Sequence, residues 1–366
     1  MYDYSKQIRK FHEDHVRLTS GEQSDMRSRR ERNLKRIQDG LDELEKPKVA
    51  ETINQGGYAQ RTMTQPPEND ADSRYDIDLG IVFEQDDAKT PRTTRDWVRQ
   101  AIARKGSGFK NEPATKKKCV RVVYSKGYQC DFPVFRRRWT EAGYRYALSS
   151  GDEWVASDPA AMNEWIKNKV GLSPVTDGSC KLRRIIHYGK FYSTTHGHRQ
   201  RSSFPGGLVA TAIFIECYVE VDGRDDKSIR ETLRNISLRS KYAPVYANGD
   251  QVSDAKDEDR IGRLIDQAKA SVEELDKLDG DVGEKEARKA WRKVFAHSFF
   301  DEPKEDASSA AKGALETKSA FSSGLAAPAL ASGIAAALSD EARADRLRGA
   351  AEARKSEGTT SKPWAK

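Results

Sequence analysis

The ten residues Tyr75–Glu84, YDIDLGIVFE, constrain this chain more than any other segment. Tyr75, Ile77, Leu79, Ile81 and Phe83 recur at every second position, the period of a strand with one face in a core. That period also fixes where Asp76 and Asp78 point: both project from the opposite face, side by side. Two carboxylates so placed repel unless a cation lies between them, and hard oxygen donors of this kind suit magnesium or manganese. A third carboxylate on an adjacent strand would complete a site for two ions. Asp131, set among Cys130, Phe132 and Val134, is the candidate. Taken alone, Asp-x-Asp also suits a solvated strand face.

The rest of the chain gives this strand its setting. CVRVVYSKGYQCDFPVF (119–135) reads as a hairpin turning at Ser125-Lys126-Gly127, with strands rich in Val, Tyr and Phe. Residues 5–46 carry apolar positions at helical spacing and predict two surface helices broken near Ser20-Gly21. Beyond about residue 155, MNEWIKNKV, KLRRIIHYGKFY, LVATAIFIECYVEV, KSIRETLRNISL, DRIGRLIDQAKASVEELDKL and EKEARKAWRKVFAHSFF have apolar residues three and four apart. Strands first and helices after is an α+β order. From about 303 the composition turns to Ala, Ser, Gly and Lys, which predicts a mobile tail with one short Ala-rich helix. That tail and the charged amino-terminal helices account for much of the low apolar fraction, 36%.

Charge and cysteine usage narrow the class. Lys and Arg number 64 against 57 Asp and Glu, an excess of 7 that suits a phosphate-rich partner. No run approaches the roughly 18 apolar residues of a membrane span, and MYDYSKQIRKFHEDH lacks the apolar centre of a signal peptide, so a cytoplasmic, membrane-free protein is expected. Cys119, Cys130, Cys180 and Cys217 form no C-x-x-C pair, which predicts reduced, mostly buried thiols rather than a zinc knuckle or disulfides.

Three further features bear on chemistry. Asn54-Gln55-Gly56-Gly57-Tyr58-Ala59 places a glycine pair after what reads as a helical segment, where bare backbone N–H groups can approach a phosphate. On KLRRIIHYGK, Arg183, His187 and Lys190 form a cationic ridge beside the apolar stripe of Leu182, Ile185, Ile186 and Gly189, suited to a triphosphate or simply to solvent. His196 and His198 read as part of a mobile basic loop, HGHRQR, rather than a metal pair. Arg136-Arg137-Arg138 is either a nucleotide-facing patch or a solvated edge.

Glycine pair, Asp-x-Asp strand and later Asp, in that order, form the pattern of the polymerase-β-like nucleotidyltransferases. The chain resembles, more narrowly, the bacterial cyclic-oligonucleotide synthases of anti-phage signalling, relatives of cyclic GMP-AMP synthase and the oligoadenylate synthetases. QGGYAQRT (55–62) is similar to their Q-G-S-x-A-x-G-T loop, YDIDLGIVF to their D-x-D strand, and YQCDFPVF to the strand bearing the third acid. KLRRIIHYGKFY is similar to a helix ending in a triphosphate-binding lysine, FPGGLVATAIFIECY to P-S-G-x-x-L-T-x-L-x-x-E, and APVYANGDQ and AWRKVFAHSFFDEP to late family elements. The family serines are replaced by Gly57 and Gly206.

The resemblance implies a polymerase-β-like core, a mixed sheet with flanking helices, plus a C-terminal helical domain, with the active site between two lobes. It implies amino-terminal helices over both lobes (1–50), a catalytic core (51–155), a helical domain (156–303) and a tail (304–366). Asp76, Asp78 and Asp131 would be catalytic and hold two Mg2+ or Mn2+ ions. Gln55, Gly56, Gly57, Arg183, Lys190 and Ser203 would bind nucleotide. The implied activity joins NTPs, ATP among them, into a cyclic di- or trinucleotide that acts on a downstream effector in anti-phage defence, without required DNA. A ubiquitin-transfer-like or other regulatory partner would act at the tail. Linear products, transfer to RNA or protein, and non-enzymatic nucleic-acid binding are the alternatives.

Overall fold

The computed structural model describes residues 1–302 apart from 69, 71–74, 126, 127 and 177. Lys126 and Gly127 of the expected turn, and the whole expected tail, lie outside the described residues.

The chain opens with α1 (Ser5–Phe11), which runs into a π-helical turn, His12–Val16. α2 (Ser20–Glu43) then begins at a capping box: the Thr19 hydroxyl accepts from the Glu22 N–H, and the Glu22 carboxylate accepts from the Thr19 N–H at 2.8 Å. The break between the two helices falls at 17–19, next to the expected Ser20-Gly21, which opens the second helix. β1 (Glu51–Gln55) and the short α3 (Gly56–Gln60) follow, so the glycine pair comes after a strand and not, as expected, after a helix. β2 (Tyr75–Glu84), α4 (Pro91–Lys105), β3 (Ala114–Thr115), β4 (Cys119–Val123) and β5 (Tyr128–Thr140) build the sheet, and β6 (Gly143–Ser150) and β7 (Glu153–Ala156) extend it.

The sheet runs β1-β2-β5-β4-β3, with β6 paired to the far half of β5 and β7 paired to β6. Every pairing in it is antiparallel except β2 with β5, whose parallel register sets Asp78 beside Asp131. Strict alternation holds only for the first half of β2. Gly80 and Val82 are buried along with Leu79, Ile81 and Phe83, because this central strand is covered on both faces there.

The helical half comprises α5 (Pro159–Gly171), a two-stranded ribbon of β8 (Val175–Thr176) and β9 (Ser179–Cys180), α6 (Lys181–Gln200), α7 (Gly207–Glu216) and α8 (Asp225–Ser237). A second ribbon of β10 (Tyr246–Ala247) and β11 (Asp250–Gln251), then α9 (Glu258–Asp276), α10 (Glu284–Phe295) and a 3-10 turn at Ser298–Phe300 complete it. α7 ends at Glu216, short of the periodic run that predicts it. HGHRQR is not a loop: His196 and His198 lie in the last turns of α6, where His196 is buried and its Nε2 donates to the Val294 carbonyl at 2.8 Å.

Two hydrophobic cores result. Ile77, Leu79, Ile81 and Phe83 of β2 pack with Val120, Val122, Phe132 and Val134 against Ile37 and Leu41 of α2 and Trp97, Val98 and Ile102 of α4. The helical core gathers Phe191, Phe214, Leu233, Leu264, Trp291 and Phe295, and takes in Ile8 and Phe11 from α1. The four thiols are free, with Cys130 and Cys217 buried and Cys119 and Cys180 half-buried. Among the described residues no helix is long and apolar enough to cross a membrane.

Candidate active site

The parallel register of β2 and β5 brings three carboxylates to one end of the sheet. Asp76, Asp78 and Asp131 each offer a ligand atom within 4.8 Å of the others. Burial pushes Asp76 up to about 6, with the neighbouring Asp131 adding to it, and pushes Asp78 up to about 7, with Asp76 and then Asp131 adding. Asp76 nevertheless opens onto solvent by area, which lets a hydrated ion reach a carboxylate that the surrounding protein has partly stripped of water. All-oxygen donors, crowded anions and access from solvent fit a hard divalent cation.

Asp131 has a partner that the sequence reading missed. In the antiparallel pairing of β4 and β5, Arg121 stands opposite Asp131 and donates to both its oxygens, Nε–Oδ1 at 2.8 Å and the second nitrogen to Oδ2 at 2.7 Å. The signal was the in-phase spacing of Arg121 between Val120 and Val122, readable only once the hairpin register is known. Gln129, in register with Asp76, hydrogen-bonds to that carboxylate.

The glycine loop reaches the same place from β1. Gln55 pairs with Asp78, and Gly56 follows at φ +59°, a left-handed conformation in which a Cβ would collide with the Asp78 carboxylate. A Cβ on Gly57 would lie 2.9 Å from Lys190 Nζ. The two bare positions thus leave room for the acid and the lysine that flank the loop. Lys190 reaches in from α6 and donates to the Thr62 carbonyl at 2.8 Å, leaving N–H groups for a ligand. Burial pulls its ammonium down to about 8, partly offset by Asp78 and Asp76.

A cavity of about 630 Å³ lies against the carboxylate cluster, its walls including Gly56, Gly57, Asp76 and Asp78 from the sheet side and Lys190 and Gly207 from the helical side, while Asp131 stands behind the lining. Tyr124, Ser125 and Lys110 also face it, and no motif singles them out. Three expected nucleotide contacts do not line it. Gln55 is held in the β1–β2 pairing. Ser203 lies exposed between α6 and α7, its carbonyl accepting from Arg263 Nε at 2.8 Å. Arg183 sits two turns before Lys190, half-buried, with its Nε unpaired.

The cationic ridge also needs correction. His187 is 7% exposed and burial holds it down to about 3, so it is neutral and packed inside. The apolar stripe is not one-sided either, because Arg184 on the opposite side of α6 is buried in an ion pair with Asp225 at 2.7 Å. In the Arg136–Arg138 run, Arg137 is tied to Glu84 and Glu51 at 2.7 and 2.8 Å, and Arg138 is exposed.

Residues 50–135, the stretch holding the glycine loop and all three carboxylates, match the family model described as cyclic GMP-AMP synthase DncV-like, nucleotidyltransferase domain. Among solved structures, the chain is similar to the Vibrio cholerae DncV cyclic AMP-GMP synthase, at 12% identity and a TM-score of 0.63, over 81% of this chain and 96% of that one. It is likewise similar to E. coli MS115-1 CdnC, solved with ATP, at 18% identity and a TM-score of 0.59, over 81% and 99%. The fold is thus that of the polymerase-β-like nucleotidyltransferases, the sheet core joined to a helical half. Residues 50–135 form a nucleotidyltransferase domain of the cyclic GMP-AMP synthase DncV-like family.

Proposed function

We propose that this protein is a metal-dependent synthase that joins NTPs, ATP among them, into a cyclic di- or trinucleotide used as a second messenger in anti-phage defence. The observation that carries the reading is the cluster of Asp76, Asp78 and Asp131 at the edge of a cavity that Asp76, Asp78 and Lys190 line together. The three carboxylates would hold two Mg2+ or Mn2+ ions. Once bound, such ions supply Lewis-acid activation of a ribose hydroxyl and neutralise charge on the α-phosphate and the departing pyrophosphate.

The chain's own residues do the rest by position and charge. Lys190 donates to phosphate oxygens, and the backbone at Gly56 and Gly57 admits the triphosphate close to the sheet. Arg121 orients Asp131 through its paired hydrogen bonds. In each step a ribose oxygen forms a bond to an α-phosphorus as the bond to pyrophosphate breaks. A second step, in which the linear intermediate's free ribose hydroxyl attacks its own triphosphate end, closes the ring.

The structures similar to this chain include DncV with a linear intermediate, 5' pppA(3',5')pG, and a CdnC:HORMA-deltaN complex. They support a stepwise synthesis and a regulatory partner, which we assign to residues 304–366. Deleting those residues is expected to leave synthesis in vitro intact and to abolish phage protection; unchanged protection would remove the tail from the reading.

The enzymatic test is incubation with labelled NTPs and magnesium or manganese followed by phosphatase. A small product that phosphatase leaves unchanged supports cyclisation, label on added RNA or protein supports transfer, and a product that loses its terminal phosphates while keeping the internal linkage supports linear synthesis.

A further inference from the structure

Two buried histidines lie outside the chemistry described so far, and both bear on the loop beside Lys190. His12, in the π-helical turn, is 2% exposed, and its Nε2 lies 2.9 Å from His187 Nδ1. His187 Nε2 lies 2.9 Å from the Arg61 carbonyl oxygen. A carbonyl only accepts, so His187 carries its proton on Nε2 and donates it there. Its Nδ1 is then a lone pair, and His12 must carry its own proton on Nε2 and donate. One backbone oxygen therefore fixes the His187 tautomer and, with His12 neutral, the Nε2–H form of His12 too, which leaves His12 Nδ1 without a proton for the half-exposed Glu13 carboxylate 3.4 Å away. Burial keeps both neutral, at about 2 for His12 and about 3 for His187.

The carbonyl held in this way is the neighbour of the one that holds Lys190. Arg61 ends α3 at φ +55°, a conformation that a non-glycine residue adopts only when its surroundings impose it. The Thr62 carbonyl, next along the chain, accepts from Lys190 Nζ at 2.8 Å, and the Thr62 N–H returns to the Gly57 carbonyl at 2.8 Å. His187 and Lys190, three residues apart on α6, thus grip consecutive carbonyls of one strained loop. The π-turn segment also holds the loop's far end: the Gln65 N–H donates to the Val16 carbonyl at 2.8 Å, and its side chain donates to the Arg17 carbonyl at 2.8 Å. Met63, Thr64 and Gln65, between these anchors, line the cavity.

We propose that His12 and His187 are positioning residues of the nucleotide site, a tautomer-locked pair through which the amino-terminal π turn sets the Arg61–Thr62 peptide and so the ammonium of Lys190. The proposal rests on the reading of Lys190 and the glycine loop as triphosphate contacts. It adds that His12, far from the cavity in sequence and not among its lining residues, controls nucleotide affinity.

The test uses the full chain and two readouts. In imidazole 15N correlation spectra of the unliganded protein, His187 is expected as the neutral Nε2–H form throughout pH 6 to 8. His12→Phe removes the donor to Nδ1 and is expected to release that tautomer. The second readout is ATP binding with magnesium. A glutamine amide places an N–H where Nε2 stood, and an asparagine amide does not reach. His187→Asn and His12→Phe are therefore expected to weaken ATP binding about tenfold, roughly the worth of one buried hydrogen bond, with KM moved more than kcat. His187→Gln and His12→Gln are expected to restore it. A His187 imidazolium or Nδ1–H form in the wild type overturns the proposal. So does a folded His187→Asn protein that binds ATP normally; if that variant does not fold, the wild-type and His12→Gln spectra decide. Normal ATP binding by Lys190→Ala would instead overturn the triphosphate reading, and the tautomer spectra would still stand or fall separately.

Discussion

Gly56 is where backbone geometry and metal chemistry meet. At φ +59°, with Asp78 filling the space where a side chain would stand, it tolerates no Cβ. Gly56→Ala is expected to cost about 1–3 kcal/mol of stability and to displace Asp78. Thermal unfolding checks the first effect, and metal titration by calorimetry the second. Gly57 differs in kind, because its missing Cβ faces the flexible end of Lys190. Gly57→Ser is expected to fold and to shift NTP affinity by moving that ammonium. The carboxylates give a pH prediction. Asp78 and Asp76 are raised in the fold, to about 7 and about 6, from an ordinary 3.8. Between those values the metal-free fold binds more protons than the unfolded chain, so stability falls as pH rises from about 4 through about 7. Asp78→Asn is expected to raise the Tm of the metal-free protein at pH 8 and to flatten that decline, while lowering turnover by at least about 100-fold. A lower Tm for Asp78→Asn at pH 8 without metal would count against strain in the carboxylate cluster.

At the scale of elements, β2, β5 and α6 build the site, and they were unequally legible. β5 shows in the sequence because Cys130, Phe132 and Val134 alternate around Asp131. Its pairing with β2 is a long-range fact that no local pattern contains, whereas the Arg121–Asp131 ion pair lies within the hairpin and depends on its register. β1 was missed because Glu51–Gln55 is polar and half-buried throughout, without alternation. β6 and β7 were missed because much of their length faces solvent. In α6 the error was physical: the amphipathic reading assumes one wet face, whereas the amino-terminal segment and α8 pack over it, so His187 and Arg184 are buried with partners. Lys190, which the sequence offers as a triphosphate contact, stands beside the glycine loop. Lys190→Ala is expected to weaken ATP binding about 10- to 100-fold, as for loss of one charge-assisted contact, measured by equilibrium binding with magnesium present.

At the scale of the whole molecule, the cavity depends on two cores meeting across one chain. Asp76 and Asp78 are fixed by the sheet core, Lys190 by the helical core, and α1 and α2 contribute to one each. The α+β order was visible in the succession of periods from two to 3.6, and the three acids in their spacing. The cavity was not, because it is made where the two halves face each other. An active site of this construction needs both halves in place for any turnover. Its most direct test is the reaction itself: wild-type protein and Asp131→Ala, each incubated with labelled NTPs and manganese or magnesium, then with phosphatase. The expected result is a small phosphatase-resistant nucleotide product from the wild type alone. The same products from both proteins, or a wild-type product from which phosphatase removes terminal phosphates, would contradict cyclic-nucleotide synthesis at the three-carboxylate site.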